Sequence, residues 1–89
     1  MSEISDDAFL DHKLAQIYRS EQDQFAPVAK QWLDKGDLKQ AMEIINNLIG
    51  QSDLIVAFFG DELPVKAYTT LVEPLEQLIQ QANVLTGLP

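Results

Sequence analysis

The stretch that decides the fold is SDLIVAFFGDELP, residues 52–64. Six consecutive residues, 54–59, carry no polar side chain, and Gly60, Asp61 and Glu62 follow them at once. One interpretation is a β-strand over 54–59 that pairs with residues 65–72 across a turn at GDELP. The other is a short helix buried on all sides. Because an isolated two-stranded hairpin is marginally stable in water, the strand requires helices packed against it.

The residues that follow favour the helical interpretation, because their apolar side chains recur at spacings of three and four. Ser52 or Asp53 is suited to cap a short helix that closes at Gly60. Asp61 then caps the last helix, with Pro64 in its first turn, where a missing N–H costs nothing. Pro74 must kink that helix or split it near Glu73. The apolar positions of this region are Ala67, Leu71, Leu75, Leu78, Ala82 and Leu85.

The first half of the chain is also predicted to be helical. Ser5 and the carboxylates behind it indicate a first helix over residues 6–20. Pro27 predicts a new helix from about Asp23 or Gln24, with one long kinked helix as the alternative. Gly36 is expected to close this second helix, and Asp37 to cap a third helix that ends at Gly50. We therefore predict an all-α bundle of four to five short helices, with an α+β fold containing a hairpin at 54–59/65–72 as the alternative.

The turn KGDLKQAMEII, residues 35–45, is similar to the inter-helix turn of a tetratricopeptide unit. Gly36, Asp37 and Ala41 match that local pattern, in which an alanine lets two helices approach closely. The resemblance covers one hairpin, and the segment 34 residues later does not repeat it. Since repeat architectures need about three stacked units, the resemblance implies a helical hairpin and not a repeat protein.

Length and composition limit the class of protein. The 89 residues form one predicted domain, 1–89, and contain no cysteine, which excludes disulfides and thiolate chemistry. The acidic beginning MSEISDDAFLDHK has no unbroken apolar run, so we expect neither a secretory signal nor a transit peptide. The longest apolar run is six residues, against about 20 needed to span a bilayer. We expect a soluble, cytoplasmic protein without membrane contact.

The chain is strongly acidic, with a net charge of −8. Residues 1–26 carry six acidic and two basic side chains, and residues 50–89 carry five acidic and one basic. Direct binding of nucleic acid or anionic lipid requires clustered Lys and Arg, so both are excluded. The acidity is typical of a solvated surface, or of one that docks on a basic partner or imitates nucleic acid.

No catalytic or metal-binding motif is found in the sequence. His12 is the only histidine, and it lacks further ligands at metal-site spacing. None of the serines lies in a Gly-x-Ser-x-Gly motif, and the glycines occur singly and not in a phosphate-binding loop. Asp61 and Glu62 follow an apolar segment, but capping of the next helix explains Asp61 more simply. We expect no enzyme activity, no cofactor and no metal.

The C-terminal segment QLIQQANVLTGLP carries no charged side chain after Glu76. Because an uncharged polar face is cheaper to desolvate than a charged one, this helix is predicted to self-associate or to dock a protein partner. Trp32 is a second candidate contact. The predicted function is a small acidic interaction or regulatory protein acting through helix surfaces, and the alternative is an acidic nucleic-acid mimic that inhibits a basic protein. The predicted partner-binding residues are Trp32, Leu75, Leu78, Ile79, Ala82 and Leu85.

Overall fold

The chain is mostly helical in the part that the computed structural model describes, residues 3–87. It contains no strand within that range, so the all-α prediction is confirmed and the hairpin at 54–59/65–72 is wrong. Within the same range, none of the helices combines the length and hydropathy that crossing a bilayer requires. The elements are α1 (Asp6–Asp11), α2 (Lys13–Asp34), α3 (Leu38–Phe59), a 3-10 turn (Gly60–Glu62), α4 (Val65–Leu71) and α5 (Glu73–Thr86).

A tight turn joins the two long helices, α2 and α3, into an antiparallel hairpin. Gly36 has φ +79°, a left-handed conformation that glycine adopts without strain. The Asp37 carboxylate accepts a hydrogen bond of 3.2 Å from the Gln40 backbone N–H and so caps α3. The predicted closure at Gly36 and cap at Asp37 are confirmed.

The long helix α2 runs through Pro27, so the predicted helix boundary near Asp23 is wrong and the single long helix is right. Pro27 is exposed, and water can bond the carbonyl that its missing N–H leaves free. The predicted helix over residues 6–20 is also wrong, because the chain breaks at His12. The His12 backbone is extended, and its Nδ1 accepts a 3.1 Å hydrogen bond from the Leu14 N–H, which caps α2.

The second long helix, α3, runs through Gly50, where a helix end was predicted. Gly50 is exposed, and a glycine inside a helix costs about 1 kcal/mol relative to alanine. Burial of Leu48 and Ile55 on either side outweighs that cost. The third predicted helix and the short helix after it are therefore one helix.

The apolar stretch 54–59 forms the last turns of α3, but it is not buried on all sides, as had been predicted. Ile55 and Phe59 are buried, whereas Leu54 is 66% exposed and Phe58 is 62% exposed. The stretch therefore has one side in the core and one side at the surface.

The proline-containing region after α3 forms two helices. The split predicted near Glu73 is confirmed, since α4 ends at Leu71 and α5 begins at Glu73 with Pro74 in its first turn. The prediction that Asp61 caps the last helix is wrong: Asp61 lies in the 3-10 turn, and α4 begins after the buried Pro64.

A buried polar bridge connects the hairpin to the α4–α5 junction. Gln22 of α2 is 3% exposed, and its Nε2 donates a 2.9 Å hydrogen bond to the carbonyl of Leu71, the last residue of α4. Its Oε1 accepts a 2.6 Å hydrogen bond from the Tyr18 hydroxyl. Burial, with a contribution from Tyr68, raises the pKa of Tyr18 above its ordinary value, so the phenol stays protonated and donates. The bridge satisfies a helix-end carbonyl that has no partner within its own helix.

Replacing Gln22 with leucine is expected to lower the free energy of unfolding by about 2–4 kcal/mol, because the Leu71 carbonyl and the Tyr18 hydroxyl both lose a buried partner. Urea unfolding followed by circular dichroism measures this. The matched control is Gln24→Leu, at an exposed position of the same helix, with an expected change within about 0.5 kcal/mol. Equal effects of the two substitutions would contradict a special role for Gln22.

Candidate interaction surface

Helices α4 and α5 cover one side of the α2–α3 hairpin. Gln22 binds the end of α4, as described above, and Gln81 Nε2 of α5 donates a 2.8 Å hydrogen bond to the Asp34 carboxylate at the end of α2. This hydrogen bond, together with Lys30, lowers the pKa of Asp34 below its ordinary value. One contact is made by Gln22 in the middle of α2 and the other by Asp34 at its end. Helix α5 therefore runs along this side of α2.

The opposite side of the hairpin is not covered by α4 or α5. A groove there is lined by residues of α2 and α3 alone: Phe25, Glu43, Ile44, Asn47 and Leu48. Side chains three and four positions apart on a helix share a side, so the groove residues identify the whole surface. We call this surface the open face. It comprises Leu14, Ile17, Glu21, Phe25, Val28 and Trp32 of α2 with Gln40, Ile44, Asn47, Gln51, Leu54 and Phe58 of α3.

The open face is apolar and nearly without charge. Glu21 is its one charged member, and Glu43 lies at its edge in the groove. Besides Leu54 and Phe58, Ile17 is 48% exposed and Val28 is 38% exposed. Contiguous exposed apolar side chains on a soluble chain mark binding surfaces, whereas isolated ones do not.

Aromatic side chains lie at both ends of the open face. At one end, the Phe58 ring lies 5.2 Å from the His12 ring and 5.1 Å from the Phe59 ring, centroid to centroid. At the other end, Trp32 is half-buried, and Lys35 Nζ lies 5.3 Å from its ring centroid. Both contacts hold large rings in place at the surface, which lowers the entropy that a binding partner must remove.

The structure separates the residues that the sequence predicted as partner contacts. Leu75, Leu78 and Ala82 are buried in the core of the chain itself, and Ile79 is half-buried against that core. They are not available to a partner while α5 remains packed. Leu85 is 45% exposed on α5, and Trp32 belongs to the open face on the other side of the hairpin.

The residues of α3 in the open face were missed as a candidate site. Gln40, Ile44, Asn47, Gln51, Leu54 and Phe58 are spaced 4, 3, 4, 3 and 4 apart, the spacing of a helix that packs along another helix. The expected helix end at Gly50 divided this row in two. The spacing itself was the signal that could have revealed the site.

Acidic side chains converge at one end of the molecule. The Ile4 N–H donates a 3.0 Å hydrogen bond to the Glu62 carbonyl, so the beginning of the described chain meets the 3-10 turn after α3. The carboxylates there are all exposed. We call this group the acidic end, and it comprises Glu3, Asp6, Asp7, Asp11, Asp61 and Glu62.

A cleft of about 380 Å³ lies between α1, α2, α4 and α5. Arg19 and Lys66 line it together with Asp6 and Asp23, so its charges are mixed in sign. Among residues 3–87 there is no group of three or more His, Cys, Asp or Glu side chains placed to hold a metal ion.

Comparison of the chain with protein-family models, curated proteins and solved structures found no match.

We expect that folding does not require the exposed part of the open face, and two adjacent residues of α3 test this. Leu54→Ser is expected to change the free energy of unfolding by no more than about 0.5 kcal/mol, since Leu54 already faces solvent. Ile55→Ala is expected to lower it by about 2–4 kcal/mol, since Ile55 is 2% exposed. The measurement is urea unfolding at the lowest protein concentration that circular dichroism allows. A large loss with Leu54→Ser would mean that this side chain serves the fold of the single chain.

Proposed function

We propose that this chain is a small non-catalytic protein that binds another polypeptide through its helix surfaces, with the open face as the binding surface. The observation that carries the proposal is the set of four exposed apolar side chains on the side of the two long helices that α5 does not cover: Ile17, Val28, Leu54 and Phe58. Burying such a surface against a partner is favourable by roughly 25 cal/mol per Å² of apolar area. Its near lack of charge keeps the desolvation cost of binding low.

The state of the chain's histidine and its candidate carboxylates supports a non-catalytic role. His12 Nδ1 accepts the Leu14 N–H, and its ring packs against Phe58 and Phe59. Asp61 and Glu62 are exposed in the 3-10 turn. These groups cap a helix or face water, which accounts for them without a reaction.

A photo-crosslinking residue at position 54 tests the binding surface in the native cell. We expect a discrete adduct from position 54 and none from position 84, because Val84 is 75% exposed but lies on α5. A second substitution on the other helix of the open face, Ile17→Glu, is expected to reduce the adduct severalfold, since it places a carboxylate in the same contact. Identical adducts from both positions, or an adduct that Ile17→Glu leaves unchanged, would contradict the proposal.

A second candidate function is inhibition of a basic protein by imitation of nucleic acid. The observation that favours it is the acidic end, where carboxylates of residues 3–11 lie near those of the 3-10 turn that follows α3. The Lys and Arg side chains that bind the phosphates of DNA can also bind a surface of closely spaced carboxylates.

Competition with DNA tests this second function. If it is correct, adding the chain elutes basic proteins of the native cell from immobilised double-stranded DNA, and elution weakens steeply as salt is raised. Changing Asp61 and Glu62 to their amides should abolish elution. The control changes Glu73 and Glu76 to their amides, which removes the same charge outside the acidic end. Elution of nothing, or equal losses for the two variants, would contradict the mimic.

A further inference from the structure

We infer that the open face binds a second copy of this chain, with the two α3 helices antiparallel across a two-fold axis near residue 49. The inference rests on the proposed function, because it takes the open face as the binding surface and adds the identity of the occupant. Three features carry it: the order of side chains along the face, the distribution of charge and the size of the surface.

The four central positions of the α3 row read similarly in both directions from residue 49, whereas at its two ends Gln40 is opposite Phe58. Asn47 and Gln51 are placed symmetrically about that point, and Ile44 and Leu54 lie next on either side. In an antiparallel pair of α3 helices, the amide of Asn47 therefore meets the amide of Gln51 from the second copy. Ile44 likewise meets Leu54. Matching of like surfaces is what a two-fold contact requires.

The α2 half of the open face has the same centre. Ile17 and Val28 lie on either side of residue 23, and Leu14 and Trp32 lie further out. The innermost pair is unlike, so Glu21 of each copy lies opposite Phe25 of the other. The groove between the helices places Phe25 beside Ile44 and Asn47, so the middle of α2 lies next to the middle of α3. One two-fold axis therefore brings both halves of the face onto their own counterparts.

Charge is distributed so that two acidic chains can meet at this face. Residues 13–59, which contain the hairpin, carry five basic and six acidic side chains, whereas the rest of the chain carries one basic and eight acidic. An antiparallel arrangement also places the acidic end of each copy beside the α2–α3 turn of the other. Residues 34–39 at that turn carry Lys35 and Lys39 but also Asp34 and Asp37, so this region has no net charge. The two acidic ends therefore stay apart, and each lies beside a neutral region of the other copy.

The surface is large enough for a specific dimer. A 22-residue helix is about 33 Å long, and two neighbouring helices present a width of about 20 Å, which gives about 650 Å² on each copy. This lies toward the lower end of the range for specific complexes, which bury about 800 Å² on each partner.

Sedimentation of the purified chain tests the inference. We expect a concentration-dependent species of twice the 10.0 kDa monomer mass. Leu54→Glu should weaken the dimer at least a hundredfold, because each of two new carboxylates would face Ile44 of the other copy. Val84→Glu makes the same chemical change at an exposed position of α5 and should have no effect. Circular dichroism of both variants verifies the fold. Glu21→Gln should strengthen the dimer, since it removes the one charge within the face.

Cysteine crosslinking tests the register, because the natural chain has no cysteine. Mixing an Asn47→Cys chain with a Gln51→Cys chain should give a disulfide-linked dimer under mild oxidation. Mixing Gln40→Cys with Gln51→Cys should not, because these positions lie far apart along antiparallel helices.

Three other results would each contradict a different part of the inference. A monomer at all concentrations removes the second copy as occupant, yet the proposed function survives if position 54 still crosslinks to another protein. A dimer that Val84→Glu disrupts and Leu54→Glu does not places the contact on α5. A dimer that crosslinks only through the Gln40→Cys and Gln51→Cys chains contradicts the antiparallel register.

Discussion

Helix α5 is held against the hairpin by burial of Leu75, Leu78 and Ala82, and the junction before it is fixed by one buried polar side chain, Gln22. The Gln22 Nε2 donates a hydrogen bond to the Leu71 carbonyl at the break between α4 and α5, and the Gln22 Oε1 accepts one from the Tyr18 hydroxyl. A buried carbonyl at a helix end needs a hydrogen-bond donor. Gln22 provides that donor from the side of α2 that faces α4 and α5. The terminal helices are thereby held against one side of the hairpin. The open face lies on the other side of the hairpin, where the groove is lined by α2 and α3 alone.

Local chemistry made several parts of the fold predictable from sequence. The turn at Gly36 and Asp37 and the split before Pro74 depend on backbone conformation and on a missing N–H, which act within a few residues. The continuous helices through Pro27 and Gly50 were not predictable in the same way. Pro27 is exposed, which leaves the carbonyl freed by its missing N–H accessible to solvent, and the penalty of Gly50 is offset by burial of side chains in the core. Sequence spacing does not contain that information.

The position of the candidate site also could not be predicted from sequence spacing alone. The spacing of Leu75, Leu78 and Ala82 predicts an apolar side of a helix, but it does not say whether that side meets its own chain or another. Packing resolves the ambiguity, because these residues are buried by the hairpin. The exposed apolar side chains include Leu54 and Phe58, which belong to the stretch predicted to be wholly interior.

The position of Trp32 has a spectroscopic consequence. It is the only tryptophan in the chain, so fluorescence at wavelengths longer than tyrosine emission comes from a single indole. That indole is half-buried, with a lysine ammonium group over its ring, at the turn end of the open face. The colour and intensity of its fluorescence therefore depend on whether water or protein surrounds that corner of the hairpin. The molecule carries its own optical reporter there, without an added dye.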